Sequence, residues 1–214
     1  MMQQTQLTPA TAELLGDIQP LIEQLGSPEG LAALVGGIVP PRQIANIEDL
    51  RTFLKNYHAK ILRPLELPAI QRAFHHAGRN ELRELVAFDH ELDGEALLKN
   101  FATASRRVGQ AQLQRLRPLR DQRMLKRYLA AVELGEANGW HTLVYGLTLA
   151  VYSLPLRQGL LGYAQQTTRG FIQASGRPLS LSQADCDALL DELCADCPAA
   201  VEELVAKSGS EAIS

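Results

Sequence analysis

Apolar residues recur at helical spacing along most of this chain, and no stretch shows the strict alternation that marks a β-strand. One clear example follows Asn46, which can cap a helix, with Glu48 and Asp49 at the positive end of that helix. The buried face predicted for this helix is Leu50, Phe53, Leu54, Tyr57 and Ile61. Similar stripes continue toward the end of the chain, so we predict an all-α fold, a single compact bundle of about ten helices.

Helix ends are marked by residues that favour caps and turns. Thr8, which precedes a proline, predicts the start of the first helix. A further helix is predicted from about Leu67 to His76, separate from the one that follows Asn46. Gly78 is placed to end that helix in a left-handed conformation, and a later helix is predicted to stop near Gly135. Near the end of the chain, Ser182 and Asp185 predict a capped start for the last clear helix.

The most apolar part of the chain is a pair of predicted helices. Residues 141–153 include few polar positions, which predicts a helix that is buried on most of its sides. Pro155 starts a second helix that runs to about Ser175. Because the turn between the two helices is short, we predict that they pack antiparallel to each other.

The composition agrees with a folded, compact protein. The 214 residues are 46% hydrophobic and 21% charged, and they contain no long linker, so we predict one domain over residues 1–206 and a frayed tail over residues 207–214. The first twenty residues lack the basic start and apolar core of a secretory signal, and no apolar run reaches the roughly 18 residues of a membrane span. Three cysteines fit a reducing compartment, so we expect a cytoplasmic protein with no membrane partner.

Few residues point to catalysis or metal binding. The sequence has no glycine-rich phosphate loop, no His-Glu-x-x-His pair and no Gly-x-Ser-x-Gly elbow. Its five histidines are dispersed, as solvated or core histidines usually are. Cys194 and Cys197 form a single C-x2-C with Cys186 upstream, whereas structural zinc normally takes four ligands. We therefore expect no cofactor and no bound metal, and no residue is singled out as catalytic.

Positive charge is concentrated in one stretch. Residues 106–127 hold eight basic side chains and one acid, so they carry +7, while the whole chain carries −3 and the remainder therefore −10. Such a stretch could bind nucleic acid, but no aromatic residues interleave it, and a pI near 6.0 is unlike that of a dedicated nucleic-acid binder. We favour a protein interface, with Arg106 and Arg107 as candidate partner-binding residues.

The order of several motifs resembles that of the urease accessory protein F (UreF) family, from about Leu21 to Leu193. Residues 141–150 (HTLVYGLTLA), followed by Leu-Pro-Leu and then Leu-Leu-Gly-Tyr, are similar to a helix pair of that family. Upstream, Ser105 and Gly109 fit the family's Ser-x-x-x-Gly helix.

A second similar stretch covers residues 177–190 (RPLSLSQADCDALL), which resembles the family's Arg-x-x-Pro-Leu-Gly-Gln-Thr-Asp-Gly-Gln-x-Leu-Leu. The matching residues are Arg177, Leu181, Gln183, Asp185, Leu189 and Leu190. Ser180 and Ser182 replace the family's proline and glycine, so we expect the loop to follow a different backbone path.

The resemblance implies an all-helical homodimer that performs no catalysis. Such a protein is a chaperone-like scaffold that connects urease accessory protein D/H with the GTPase, accessory protein G, and assists nickel insertion into apo-urease. The partner-binding residues that the resemblance implies are Arg177, Leu181, Gln183 and Asp185. Those that it implies for packing of the helix pair and for the dimer are Leu147, Leu160 and Tyr163.

Two other classes of protein share parts of this pattern. A haem-oxygenase-like or thiaminase-like helical enzyme has a similar size and helix content, but it would need a placed axial histidine or a cysteine–glutamate pair. A helical nucleic-acid-binding protein would use the basic stretch 106–127, and its binding to DNA would weaken steeply with salt.

Overall fold

The computed structural model describes residues 44–116, 123–176 and 178–211. These residues form helices joined by short turns, and no strand occurs among them, which confirms the all-α prediction. The α-helices are α1 (Ile47–Tyr57), α2 (Leu67–Gly78), α3 (Leu82–Asp93), α4 (Lys99–Leu116), α5 (Arg123–Glu133), α6 (His141–Val151), α7 (Leu156–Gly176), α8 (Gln183–Cys194) and α9 (Cys197–Glu211). A π-helical segment (His58–Glu66) joins α1 to α2, and a 3-10 turn (Ala96–Leu98) precedes α4. The helix predicted after Thr8 lies outside the described residues.

The number of helices differs from the prediction of about ten. Residues 47–78 are helical throughout, and only Ala195 and Asp196 separate α8 from α9. With each of these regions counted once, the described part of the chain contains seven helices. The expected break before Leu67 is absent. Pro64 lacks an N–H group and its ring collides with the carbonyl four residues earlier, and the helix accommodates it by widening to π-type hydrogen bonding.

Both predicted N-terminal caps are present. The Asn46 side chain accepts a hydrogen bond from the Asp49 backbone N–H at 2.9 Å, which starts α1. At α8, the Ser182 hydroxyl accepts from the Asp185 backbone N–H at 3.1 Å, and the Asp185 carboxylate accepts from the Ser182 backbone N–H at 3.1 Å. This reciprocal pair is a capping box, which confirms the predicted start of α8.

The two glycines expected to end helices behave differently. Helix α5 stops near Gly135, as predicted, and Gly135 itself adopts a left-handed φ of +76°. Gly78 does not adopt this conformation and is the last residue of α2. Arg79 is still right-handed, and the left-handed residue is Asn80, with φ +63°. Asparagine tolerates this region better than most residues, which is why the turn forms two positions later than predicted.

Helix α6 lies at the centre of the bundle. Residues 141–149 are all buried, which confirms the prediction of a helix enclosed on most sides. It packs most extensively on α2 and also contacts α4, α5 and α7. Close approach to α2 depends on Gly146, because a Cβ atom there would lie 2.3 Å from the carbonyl oxygen of Ile70. Any larger residue would push the two helices apart.

Helix α7 connects this centre to the C-terminal helices. Its contact with α6 includes a hydrogen bond from the Tyr145 hydroxyl to the Gly159 carbonyl at 3.0 Å. The rings of Tyr145 and Tyr163 lie 5.2 Å apart, edge to face. The other sides of α7 contact α1, α2, α8 and α9. The predicted inward face of α8 is buried as expected and comprises Leu189, Leu190 and Leu193.

The segment before α6 is held against α4 by the Ser-x-x-x-Gly spacing. The Ser105 hydroxyl accepts a hydrogen bond from the His141 backbone N–H at 3.1 Å. One turn later, a Cβ atom on Gly109 would lie 2.1 Å from the Gly139 carbonyl oxygen, so only glycine fits there. Residues four apart share one face of a helix, and this face of α4 therefore receives the chain as it enters α6.

Asp89 fixes the same segment from the opposite side. Its buried carboxylate accepts hydrogen bonds from the backbone N–H groups of Asn138 at 2.7 Å and Gly139 at 2.9 Å, and from the Tyr128 hydroxyl. One side chain therefore connects α3, α5 and the entry to α6.

Within the described ranges, no helix combines the length and apolar character needed to cross a bilayer. The backbone of α9 is helical to Glu211, and the domain boundary at residue 206 stays a prediction.

Candidate functional site

The residues expected to bind a partner at the start of α8 lie mostly on the surface. Gln183 and Asp185 are exposed, and the Gln183 amide donates to the Asp187 carboxylate at 2.9 Å. The hydrogen bonds from Ser182 lower the pKa of Asp185, so its side chain is held as a carboxylate. Leu181 is half-buried against the core, and Arg177 lies outside the described residues.

The path of this loop is one that a proline at position 180 could not adopt. Ser180 adopts a left-handed φ of +54°, which is uncommon for a residue with a side chain. The next two residues are tied down, because the Leu181 N–H donates to the Gly176 carbonyl at 3.0 Å and Ser182 caps α8. Ser182 therefore caps α8 through its hydroxyl, a group that a glycine at this position would lack.

Arg106 and Arg107, neighbours in sequence, have different surroundings. Arg106 is half-buried, forms an ion pair with Asp93, and places its guanidinium carbon 5.0 Å from the ring centroid of Trp140. Arg107 is exposed and makes no ion pair with another described residue. Arg106 therefore supports the contact between α4 and the entry to α6, while Arg107 is available to a partner.

Both α4 and α5 carry exposed basic side chains. The members in the described ranges that make no ion pair there are Arg107, Arg123, Lys126 and Arg127. An open groove of about 560 Å³ lies along the α4 part of this surface. Its lining residues are Thr103, Arg106, Arg107, Gln110, Ala111 and Gln114. We call these exposed basic residues and this groove the basic face.

The residues expected to pack the helix pair and the dimer are enclosed by their own chain. Leu147 and Leu160 are fully buried, and Tyr163 is 2% exposed. These side chains pack α6 and α7 within the chain and leave almost no surface for a second copy.

The π-helical segment ends at a buried acid, Glu66, that the sequence analysis missed. Glu66 is 6% exposed, and its carboxyl accepts hydrogen bonds from the hydroxyls of Tyr57 and Tyr163. Burial raises the pKa of Glu66 from 4.5 to about 7, although the two tyrosine hydrogen bonds partly oppose that change. The side chain is therefore close to half protonated at neutral pH.

A second buried polar group adjoins this region. The His58 Nε2 atom lies 2.7 Å from the Thr168 hydroxyl, which itself donates to the Ala164 carbonyl at 2.7 Å. Because the single hydroxyl hydrogen of Thr168 is already used, its oxygen accepts a hydrogen bond from His58 Nε2. The thiols of Cys194 and Cys197 complete the group, since Thr168 affects the pKa of Cys194 and His58 that of Cys197.

The sequence carried little warning of either group. Their members come from positions as far apart as His58 and Thr168, so no local spacing connects them. The only available signals were a proline inside helical spacing at Pro64 and an acid beside apolar residues at Glu66. In the part of the chain described, no three histidine, cysteine or acidic side chains are arranged to hold a metal ion.

Comparison with known proteins gives a consistent result. The family model described as UreF matches residues 44–194 of this chain. The urease accessory protein UreF of Sporosarcina pasteurii is 23% identical over 140 residues, which cover 65% of this chain and 69% of that relative. The matched range extends from just before α1 to the last residue of α8, so it includes the central helix, Glu66 with its two tyrosines, and all of the basic face.

Proposed function

The chain belongs to the UreF family, and we propose from this that it is a urease accessory protein that acts by binding other proteins, without catalysis of its own. The observation that carries the proposal is the extent of the family match, which contains eight of the nine described α-helices. The relative from Sporosarcina pasteurii bears the name of such an accessory protein and supports the same function.

We propose further that the chain is a cytoplasmic, chaperone-like scaffold between accessory protein D/H and the GTPase, accessory protein G. In this role it assists nickel insertion into apo-urease. Two exposed regions support contacts with protein partners. The start of α8 offers the carboxylate of Asp185 and the amide of Gln183, and the basic face offers Arg107 and its neighbours on α5. A partner with an acidic surface suits the basic face, because complementary charge accelerates and orients association.

A homodimer is part of this proposal. The large apolar side chains most exposed on the described surface are Leu134, Leu97 and Tyr152, at 73%, 51% and 41%. These residues, and not the enclosed Leu147, Leu160 and Tyr163, can contribute to a contact between copies. Sedimentation equilibrium at micromolar concentration should give about twice the chain mass of 23.5 kDa. A clean monomer at that concentration would contradict the dimer.

Binding through the basic face is tested by reversing one charge. Purified full-length protein is mixed with accessory proteins D/H and G from the same organism, and the affinities are measured by titration calorimetry. Arg107→Glu should weaken binding of the partner that uses this face by ~1–3 kcal/mol. Arg83→Glu is the matched control, because Arg83 is an exposed arginine on α3, outside the basic face. Equal affinities for both variants and the unmodified protein would remove the basic face from the proposal.

A further inference from the structure

Three side chains from separate parts of the chain meet beneath the turn between α8 and α9. His58 lies in the π-helical segment, Cys194 ends α8 and Cys197 begins α9. Each thiol shifts the pKa of the other, and His58 also lowers the pKa of Cys197, so the three side chains are close neighbours. The protein-binding role proposed above makes no use of this group, which has its own chemistry.

The arrangement suits reaction between the two sulfurs. Cysteines at C-x2-C spacing, with helical backbone at Ala195 between them, are close enough in the chain for a disulfide to join them. Cys197 is also the first residue of α9, where the partial positive charge of the helix N-terminus favours a thiolate.

The two thiols differ in acidity. The pKa of Cys197 is lowered, first by the hydrogen bond from Cys194 and then by contacts with His58 and Arg63. The same hydrogen bond, together with burial, raises the pKa of Cys194. Cys197 is therefore the nucleophile of the pair, and Cys194 is the thiol that reacts second.

We propose that Cys194 and Cys197 form a thiol–disulfide exchange site whose oxidant is a low-molecular-weight disulfide of the glutathione type. The Cys197 thiolate attacks one sulfur of that disulfide, a mixed disulfide forms, and one small thiolate leaves. Cys194 then loses its proton, its sulfur attacks Sγ of Cys197, and the second small thiolate leaves. In total the protein loses two electrons and two protons, and the small disulfide gains them as two thiols.

Access to the thiols requires only a local opening. Cys194 and Cys197 are 1% and 3% exposed, yet Ala195 and Asp196, the two residues between them, are exposed. Opening this two-residue turn uncovers the sulfurs without unfolding the helices, and such local openings are a normal part of native-state dynamics. The third thiol, Cys186, is half-buried near the start of α8, eight residues before Cys194, where burial and the carboxylates of Asp187 and Asp185 raise its pKa.

The test is oxidation of the reduced full-length protein with oxidised glutathione, followed by an acid quench, thiol counting and intact mass measurement. Cys186→Ala provides a background with two thiols. In this background both thiols should be lost, the mass should fall by two hydrogen atoms, and no glutathione adduct should remain. Adding Cys194→Ala should trap glutathione on Cys197, whereas adding Cys197→Ala should leave a Cys194 that reacts roughly tenfold more slowly or less.

Several outcomes would overturn the proposal. One is that both thiols of Cys186→Ala persist in oxidised glutathione, and another is that they end as stable glutathione adducts without an internal disulfide. A third is that Cys194 alone reacts as fast as Cys197 alone. If circular dichroism shows that either single-thiol variant is unfolded, the Cys186→Ala result alone decides between a disulfide and its absence.

Discussion

Replacing Glu66 with glutamine should make the protein more stable at alkaline pH and remove a pH dependence that the wild type shows. Glutamine is neutral and nearly the same size, and its carbonyl oxygen can still accept hydrogen bonds from Tyr57 and Tyr163. The substitution therefore removes the buried charge and leaves the packing of the π-helical segment in place.

The magnitude follows from the change in pKa. Burial raises the pKa of Glu66 from 4.5 to about 7, and the difference corresponds to roughly 3 kcal/mol of folding free energy. The folded state holds the proton more tightly than the unfolded state. The stabilisation is therefore fully present below pH 4.5 and is lost as the pH rises through about 7. Above that pH the wild type carries an unfavourable buried charge that Glu66→Gln lacks.

The assay is urea unfolding of both proteins at several pH values from 5 to 8, with the free energy of unfolding compared at each. Because the comparison is between two otherwise identical chains, the titration of other groups, such as the buried His141, cancels. The advantage of Glu66→Gln should grow by about 2–3 kcal/mol between pH 5 and pH 8. A constant difference across this range, or a variant that loses stability as the pH rises, would refute the assignment of Glu66 as a buried, partly protonated acid.

Three further changes test other parts of the structure. Asp89→Asn should lower the free energy of unfolding by ~2–4 kcal/mol at pH 8, because an amide cannot accept all three hydrogen bonds of that carboxylate. This change in stability is opposite in sign to that of Glu66→Gln, and an unchanged urea midpoint would contradict it. Gly109→Ala should destabilise the protein by ~2 kcal/mol or more in the same assay, since its Cβ would lie 2.1 Å from the Gly139 carbonyl oxygen. Gly135→Ala has no atom near its Cβ and should cost about 1 kcal/mol through its positive φ alone. Equal effects of the two substitutions would refute the close approach at Gly109. Arg177→Ala should weaken binding to the GTPase by ~1–3 kcal/mol in calorimetry without lowering the melting temperature, and a variant that melts earlier yet binds normally would sink the interface role.

The fold was predictable where one helix makes one continuous pattern. The face of α1 was evident from apolar residues three and four apart, and the enclosure of α6 was evident from its lack of polar positions. The cap at Ser182 was visible because Asp185 follows at the required spacing. In each case the physical cause lies within one helical segment, so the local sequence contains it.

Features that depend on tertiary packing were missed or misread. A break was expected before Leu67, since the sequence cannot show that the chain stays helical past Pro64 through π-type hydrogen bonds. Leu147 and Leu160 were assigned in part to a dimer contact, because an apolar residue in a sequence does not reveal whether its own chain already covers it. Glu66 and its tyrosines, and His58 with the two cysteines, are brought together only when the π-helical segment packs with α7 and with the turn between α8 and α9.

The central claim, that the chain assists urease activation without being an enzyme itself, is tested most directly by reconstitution. Purified apo-urease is incubated with nickel, GTP and accessory proteins D/H and G from the same organism, with and without this protein. Urease activity should appear at the full rate only when the chain is present, and its dependence on the chain should saturate at a fixed ratio to the other accessory proteins. Equal activation in its absence, with the added chain shown to be folded, would contradict the account.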